Sequence, residues 1–478
     1  MNKSMIRYLL SKLLLIEAVL LLVPVAIAVY YRESSQVFTA LFSTIGILVL
    51  LGGSGSLQKP KNQRIYAKEG VLIVALCWIL WSFFGGLPFV FSGQIPSVID
   101  AFFEISSGFT TTGASILNDI SVLSRSLLFW RSFTHLIGGM GVLVFALAIM
   151  DNAKNSHLEV MKAEVPGPVF GKVVSKLKNT AQILYLLYLA LFSLFVIIYY
   201  LAGMPLYDSF VIAMGTAGTG GFTVYNDGIA HYGSSLITYL VSIGVLVFGV
   251  NFNLYYLMLR RVKAFFGDEE LRAYLVIVLV STGLITLNTL YLYPGFSKSF
   301  EMTFFQVSNI ITTTGFGYGD ITNWPLFSQF ILLFLMTIGG SAGSTAGGLK
   351  IIRGLILSKI AKNQILSILS PHRVLTLHVN KTVIDKDTQH KILKYFVIYA
   401  MILLALIFIV SLDSNDFLVV TSAVFSCFNN IGPILGTTSS FSIFSPISKI
   451  LLSFAMIAGR LEIYPILLLF MKRTWSKR

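Results

Sequence analysis

The chain has 478 residues, 55% of them hydrophobic and only 12% charged, with a mean hydropathy of +0.80. Soluble domains carry about 25% charged residues, and runs of about 20 apolar residues recur along this chain, so it reads as a polytopic membrane protein without a sizeable soluble domain. The formal net charge of +14 does not mark a nucleic-acid binder, because Lys and Arg collect in alternate loops, as the positive-inside rule requires.

The first span is expected at about 7–31, after Lys3 and Arg7, and is long enough to cross rather than be cleaved as a signal. A second follows at about 37–56, then the basic loop Lys59-Pro-Lys-Asn-Gln-Arg64, then a third at about 70–92. From here one unit repeats four times, as span, short re-entrant apolar stretch, Gly/Thr segment and second span, over about 69–150, 180–262, 270–360 and 391–472. With linkers the division is 1–68, a two-helix extension, then 69–179, 180–269, 270–390 and 391–478. The linkers are rich in Lys and Arg, whereas 205–233 and 413–444 contain none. The short stretches therefore enter from outside, and the linkers and both termini are expected in the cytoplasm. The expectation is an all-α membrane protein of about ten transmembrane helices, with four re-entrant pore half-helices in fourfold pseudo-symmetric span–pore–span (M1-P-M2) repeats. The segment 155–180 is amphipathic enough to lie on the inner surface or meet a partner.

The short stretches, 101–107, 209–216, 302–310 and 417–428, fit helices of roughly 12–18 Å, half the hydrocarbon thickness of about 30 Å. An acid stands at or near the start of each: Asp100, Asp208, Glu301 and Asp416. These read chiefly as helix caps, a role compatible with an acidic mouth that concentrates cations. Each stretch runs into a segment closed by glycine: Thr110-Thr-Thr-Gly-Ala114, Gly218-Thr-Gly-Gly-Phe222, Thr312-Thr-Thr-Gly-Phe-Gly317 and Asn429-Asn-Ile-Gly-Pro433. The glycines Gly113, Gly221, Gly315 and Gly432 recur at intervals of roughly 100 residues.

Irregular backbone at membrane depth is tolerated only where it is buried in protein or lines a wet cavity. Four such segments are expected to form quarters of one ring. Helix C-termini pointing inward bring four negative dipole ends together, about half a charge each, which favours a cation. Glycine admits positive φ, so carbonyls can turn toward an axis and replace the hydration shell of potassium, as in Thr-Val-Gly-Tyr-Gly channel filters. Thr313-Thr-Gly-Phe-Gly317 matches that pattern with conservative changes. Gly317-Tyr-Gly-Asp320 offers another frame, but Thr313 and Thr314 match Thr111 and Thr112 only in the first. The expected ion-binding set, acting through backbone carbonyls, is Thr111, Thr112 and Gly113; Thr219, Gly220 and Gly221; Thr313, Thr314 and Gly315; and Asn430, Ile431 and Gly432.

The third unit's second span is interrupted after Thr337 by Gly339-Gly-Ser-Ala-Gly-Ser-Thr-Ala-Gly-Gly348. A broken helix at the midplane marks a site in many transporters; the alternative is a small-residue packing face. Lys350 and Arg353 follow it and read chiefly as snorkelling, positive-inside residues. Arg460 lies within an apolar span, where a charge costs at least about 2.5–3.5 kcal/mol. It is expected to form a barrier below the ring and hold the loop, or else to form a salt bridge within the bundle, with Glu462 two residues on. His135, Asn251 and Asn253 read as helix–helix contacts. Arg131 and Asp119 are candidates for an outer pair. Cys77 and Cys427, isolated in apolar surroundings, make neither a metal site nor a disulfide framework.

Several stretches give the chain a resemblance to the TrkH/KtrB superfamily of bacterial potassium transporters: Asp100-Ala-Phe-Phe-Glu104, Ser107-Gly-Phe-Thr-Thr-Thr-Gly113, Phe129-Trp-Arg-Ser-Phe133, Gly138-Gly-Met-Gly141, Ile338 to Gly348 and Gly459-Arg-Leu-Glu-Ile463. The likeness covers essentially the whole chain, and the two extra N-terminal spans are similar to the TrkH branch. The resemblance implies a homodimer with one pore per subunit in the bacterial plasma (inner) membrane, and a cytoplasmic nucleotide-binding regulatory ring of the TrkA kind. No covalent cofactor is implied; potassium occupies the filter, and nucleotide acts only through the partner. The resemblance also makes the loop the gate, through Gly339, Gly340, Gly343, Ser344, Gly347, Gly348, Lys350 and Arg460. Gly113, where sodium-preferring relatives carry serine, favours potassium.

The function expected is channel-like potassium uptake, with sodium- or proton-coupled potassium symport as the alternative. An organic-solute carrier working by alternating access needs inverted repeats, whereas these four share one orientation. The spans hold no paired Asp, Ser/His arrangement or metal-spaced His cluster, so an enzyme is not expected.

Overall fold

The computed structural model describes residues 1–141, 177–258, 262–319, 321, 323–370, 375–436 and 440–475. Up to residue 176, the amphipathic segment expected over 155–180 lies outside them. Helix α1 (Lys3–Leu20) and α2 (Leu22–Tyr30) make one span, broken where Pro24 has no N–H to donate to Leu20. Helix α3 (Ser35–Ser56) returns along α1. A Cβ at Gly52 would stand 2.8 Å from the Ser11 carbonyl oxygen, so only glycine admits this approach.

The first unit contains α4 (Ala67–Phe91), α5 (Val98–Phe109) and α6 (Arg125–Gly139). The second contains α7 (Leu177–Leu201), α8 (Leu206–Gly218) and α9 (Ser235–Phe248), followed by α10 (Phe252–Met258) and α11 (Val262–Phe266). The third contains α12 (Glu269–Thr289), α13 (Phe296–Ile311), α14 (Leu326–Ile338) and α15 (Ile351–Leu369). A hairpin of β1 (His378–Val379) and β2 (Thr382–Val383) precedes the fourth, α16 (Lys386–Val410), α17 (Phe417–Asn429) and α18 (Pro446–Arg460), which continues into α19 (Tyr464–Phe470).

Among the described residues, six helices are long and apolar enough to cross a membrane, or seven if α9 and α10, bent by 90°, count as one. The second helices α6, α9, α14 and α18 have only 13–15 residues. At about 1.5 Å per residue they fall short of a hydrocarbon core about 30 Å thick. Three of them stop where the chain turns: α9 at Gly249, α14 at Gly339, and α18 before Glu462 and Ile463, both at positive φ. Residues 142–176, after α6, lie outside the described residues.

Packing closes these parts into a ring. Helix α8 packs on α6 of the unit before it, α13 on α9, and α17 on α14; α5 of the first unit packs on α18 of the fourth. Close approach depends on glycine here too. A Cβ at Gly138, Gly218, Gly347 or Gly459 would collide with the carbonyl of Phe109, His135, Asn429 or Phe428, respectively. In a bilayer, where lipid is as apolar as a core, such backbone contact is a main source of association. Many aromatics, among them Trp81, Trp130, Phe109 and Tyr274, are fully buried rather than facing lipid.

Candidate functional site

The short helices end alike. Residue Thr111, Thr219, Thr313 or Asn430 follows at φ 55–59°, in the left-handed region. Its N–H bonds to the carbonyl three residues back, and the next N–H, of Thr112, Gly220, Thr314 or Ile431, bonds five residues back at 2.8–2.9 Å. These are Schellman endings, which normally place glycine in the left-handed position. Holding β-branched threonine there costs about 1–3 kcal/mol, so the surroundings must enforce it. Two positions on comes the glycine foreseen from the sequence, again at positive φ: Gly113 79°, Gly221 73°, Gly315 73° and Gly432 108°. The left-handed threonines were missed, because Thr is a poor candidate for that conformation.

The four segments meet in cyclic order. A Cβ on Gly113 would collide with the carbonyl oxygen of Gly220; on Gly221, with that of Thr314; on Gly315, with that of Ile431. On Gly432 it would lie 2.6 Å from the Thr112 oxygen, which closes the circle. All twelve residues of the expected set fall in this ring. Thr110 and Thr112 share a hydroxyl hydrogen bond of 2.7 Å, Thr312 and Thr314 one of 2.8 Å, and Asn430 Nδ2 donates to Thr112 Oγ1 at 3.0 Å. The side-chain lining is thus unequal around a fourfold backbone. Among the described residues no group of three His, Cys, Asp or Glu could hold a metal ion.

The acids do less capping than expected. Asp416 caps α17, accepting from the N–H groups of Leu418 and Val419. Ser97 caps α5, and Asp100 pairs with Lys449 at 2.7 Å. Asp208 accepts from Tyr232 Oη at 3.1 Å. Glu301 lies a full turn inside α13 and accepts from Tyr318, Ser235 and Lys298.

Arg131 does not pair with Asp119. Its Nε donates to the buried Glu104 at 2.6 Å, and its guanidinium lies 3.4 Å from the centre of the Phe222 ring, directly after Gly221. Glu104 also accepts from Ser115 Oγ and the Ile116 N–H, behind the first segment. This strut was missed, although two charges in apolar stretches were the available signal. Asp119 is instead held below the usual carboxylate range by a hydrogen bond from Asn226 and a further one from Ser121. His135 Nδ1 bonds to the Gly108 carbonyl at 2.7 Å, the helix–helix contact expected.

The loop between α14 and α15 lies against the ring. The Gly347 N–H donates to Thr313 Oγ1 at 2.6 Å, and Gly347 packs on the Asn429 carbonyl. Gly339, Gly343 and Gly348 adopt positive φ, as does Lys350, while Gly340 and Ser344 are folded inside the loop. Asn251, at the break of α9, contacts Gly343. Arg460 donates to the Thr345 carbonyl at 2.6 Å and to the carbonyls of Gly138 and Gly139 at 2.7 and 2.6 Å. It joins the loop to the end of α6, and Glu462 is partnered by Arg353 instead. Lys350 and Arg353 do not snorkel: both are buried, with Lys350 Nζ bonded to the Ala346 carbonyl.

Four like units, closed about one axis by broken helices in an apolar bundle, define a polytopic membrane transport protein. The chain belongs to the TrkH family, whose model, described as "Cation transport protein", matches residues 34–477. It is 32% identical to the Trk system potassium uptake protein TrkG of Escherichia coli over 95% of both chains. It is likewise 32% identical to the Trk system potassium uptake protein TrkH of Salmonella typhimurium over 96% of both. The crystal structure of the potassium transporter TrkH from Vibrio parahaemolyticus aligns over 100% of both chains, with a TM-score of 0.89 and 29% identity. Membership makes the chain a transporter rather than an enzyme.

Proposed function

We propose that the chain is the pore-forming subunit of a potassium uptake system. The ring of backbone turns is its filter, and the loop around 339–350 its gate. The observation that carries this reading is the cyclic contact of Gly113, Gly221, Gly315 and Gly432, each against the carbonyl of the next unit. Alternating left-handed and ordinary residues turn successive carbonyls to one side, and four helix C-termini add about half a negative charge each. A potassium ion sheds its water onto these oxygens and moves down its electrochemical gradient, to which an inside-negative potential adds about 2.3 kcal/mol per 100 mV. The ions are cargo; no other cofactor is required of this chain. The four like orientations and the potassium-uptake relatives favour this over an organic-solute carrier.

The loop obstructs the path below the ring, with Arg460 fixing it to α6. The buried Arg460 adds positive charge there, a barrier while the loop is in place. The chain acts as a homodimer in the bacterial inner membrane with both termini cytoplasmic. A cytoplasmic nucleotide-binding ring of the TrkA kind moves the loop. The test is uptake of potassium, rubidium, sodium and lithium into proteoliposomes containing the purified chain. Potassium and rubidium are expected to enter well ahead of sodium and lithium; equal rates would reject the filter.

A further inference from the structure

Glu270 lies in the first turn of α12 and is 5% exposed, yet it does not cap that helix. Asp268 does so, with Oδ1 accepting from the Leu271 N–H at 2.8 Å. Glu270 reaches across to the loop between α14 and α15. Its Oε1 accepts from the N–H of Ala342 at 2.7 Å and of Ile352 at 3.1 Å, one inside the loop and the other in the first turn after it. The adjacent Glu269 is fastened to the β1–β2 hairpin. Its N–H donates to Asn380 Oδ1 at 2.8 Å, and its carboxylate accepts from the Asn380 N–H at 3.1 Å and Lys359 Nζ at 2.5 Å. Lys359 Nζ also donates to the His378 carbonyl at 2.7 Å. The hairpin turns tightly through Asn380 and Lys381, both at positive φ. Its Leu377, Val379 and Ile384 pack with Ile352, Ile356, Ile392 and the loop's own Ala342, in a cluster separate from the main core.

We infer that Glu270 is the positioning residue that holds the loop beneath the ring, and that the hairpin is the handle through which this hold is set. The inference rests on the reading of the loop as a gate. Two consecutive residues at the head of α12 grip opposite parts: Glu270 the loop, Glu269 the hairpin. Ala342 belongs both to the loop and to the hairpin's apolar cluster, so a shift of the hairpin reaches the loop by two routes. Without the Glu270 oxygen, two buried amides lose their acceptor, and the loop gains by moving to where water can reach them. The requirement is an acceptor atom rather than a charge.

The experiment is rubidium uptake into proteoliposomes containing the purified full-length chain alone. Glu270→Ala is expected to raise basal uptake by about fivefold or more. Glu270→Gln, which keeps the acceptor oxygen, is expected to rescue the tight state. Asn380→Ala, on the exposed turn, is expected to raise uptake by about twofold. The rubidium-to-sodium ratio should stay at the wild-type value throughout. A chain lacking residues 343–346 reports on the loop itself. If that deletion raises uptake while Glu270→Ala and Asn380→Ala leave it unchanged, the inference fails and the gate stands. If the deletion also changes nothing, the gate falls and the inference with it. Glu270→Gln as leaky as Glu270→Ala overturns the acceptor role, and should Glu270→Ala not fold, Asn380→Ala decides alone.

Discussion

Gly113 carries a hydrogen where any other residue would drive a carbon into the Gly220 carbonyl. Gly113→Ser must therefore displace an oxygen of the neighbouring unit. The expected result is a drop of about tenfold in the potassium-to-sodium uptake ratio, equivalent to about 1.4 kcal/mol of lost discrimination; an unchanged ratio would remove Gly113 from the filter. Arg131 and Glu104 belong to the same scale. Removing one member of a buried pair strands the other, at a cost of about 3–5 kcal/mol. Arg131→Ala should lower the melting temperature of the detergent-solubilised protein clearly. The double change Arg131→Met with Glu104→Gln, which keeps an acceptor for the Ile116 N–H and Ser115 Oγ, should recover part of the loss; a double variant less stable than the single one would show that the pair is not a unit. The glycines were legible because their spacing repeats. The left-handed Thr111, Thr219 and Thr313 were not, since threonine's own preference runs against that backbone.

At the scale of elements, the short helices were legible as apolar stretches too short to cross, and the break after α14 as a run of glycines. The 90° bend between α9 and α10 was not, because Gly249, Asn251 and Asn253 only weakly interrupt an apolar run. Nor were the partners of Arg460: Gly138, Gly139 and Thr345 lie 322, 321 and 115 residues away. Glu462, two residues on, was the alternative partner for Arg460, and it pairs with Arg353. Arg460 ties the loop to the end of α6 through carbonyls that only a planar, forked guanidinium can reach together. Arg460→Ala is expected to raise basal rubidium uptake severalfold, and Arg460→Lys to restore tightness only partly. Unchanged uptake and unchanged regulation in Arg460→Ala would discard this role.

For the whole molecule, the organising fact is circular packing: each short helix rests on the second helix of the unit before it, and the fourth unit completes the circle against the first. Periodicity pointed to four quarters of one ring, but not to the contacts that close it, such as Asn430 to Thr112, 318 residues apart. The measurement that tests the central claim most directly is anomalous diffraction from crystals of this protein grown in rubidium. A rubidium peak is expected on the axis enclosed by the carbonyl oxygens of Thr112, Gly220, Thr314 and Ile431, to be lost when sodium replaces rubidium. A ring with no peak, or a peak only among side-chain carboxylates elsewhere, would contradict the account.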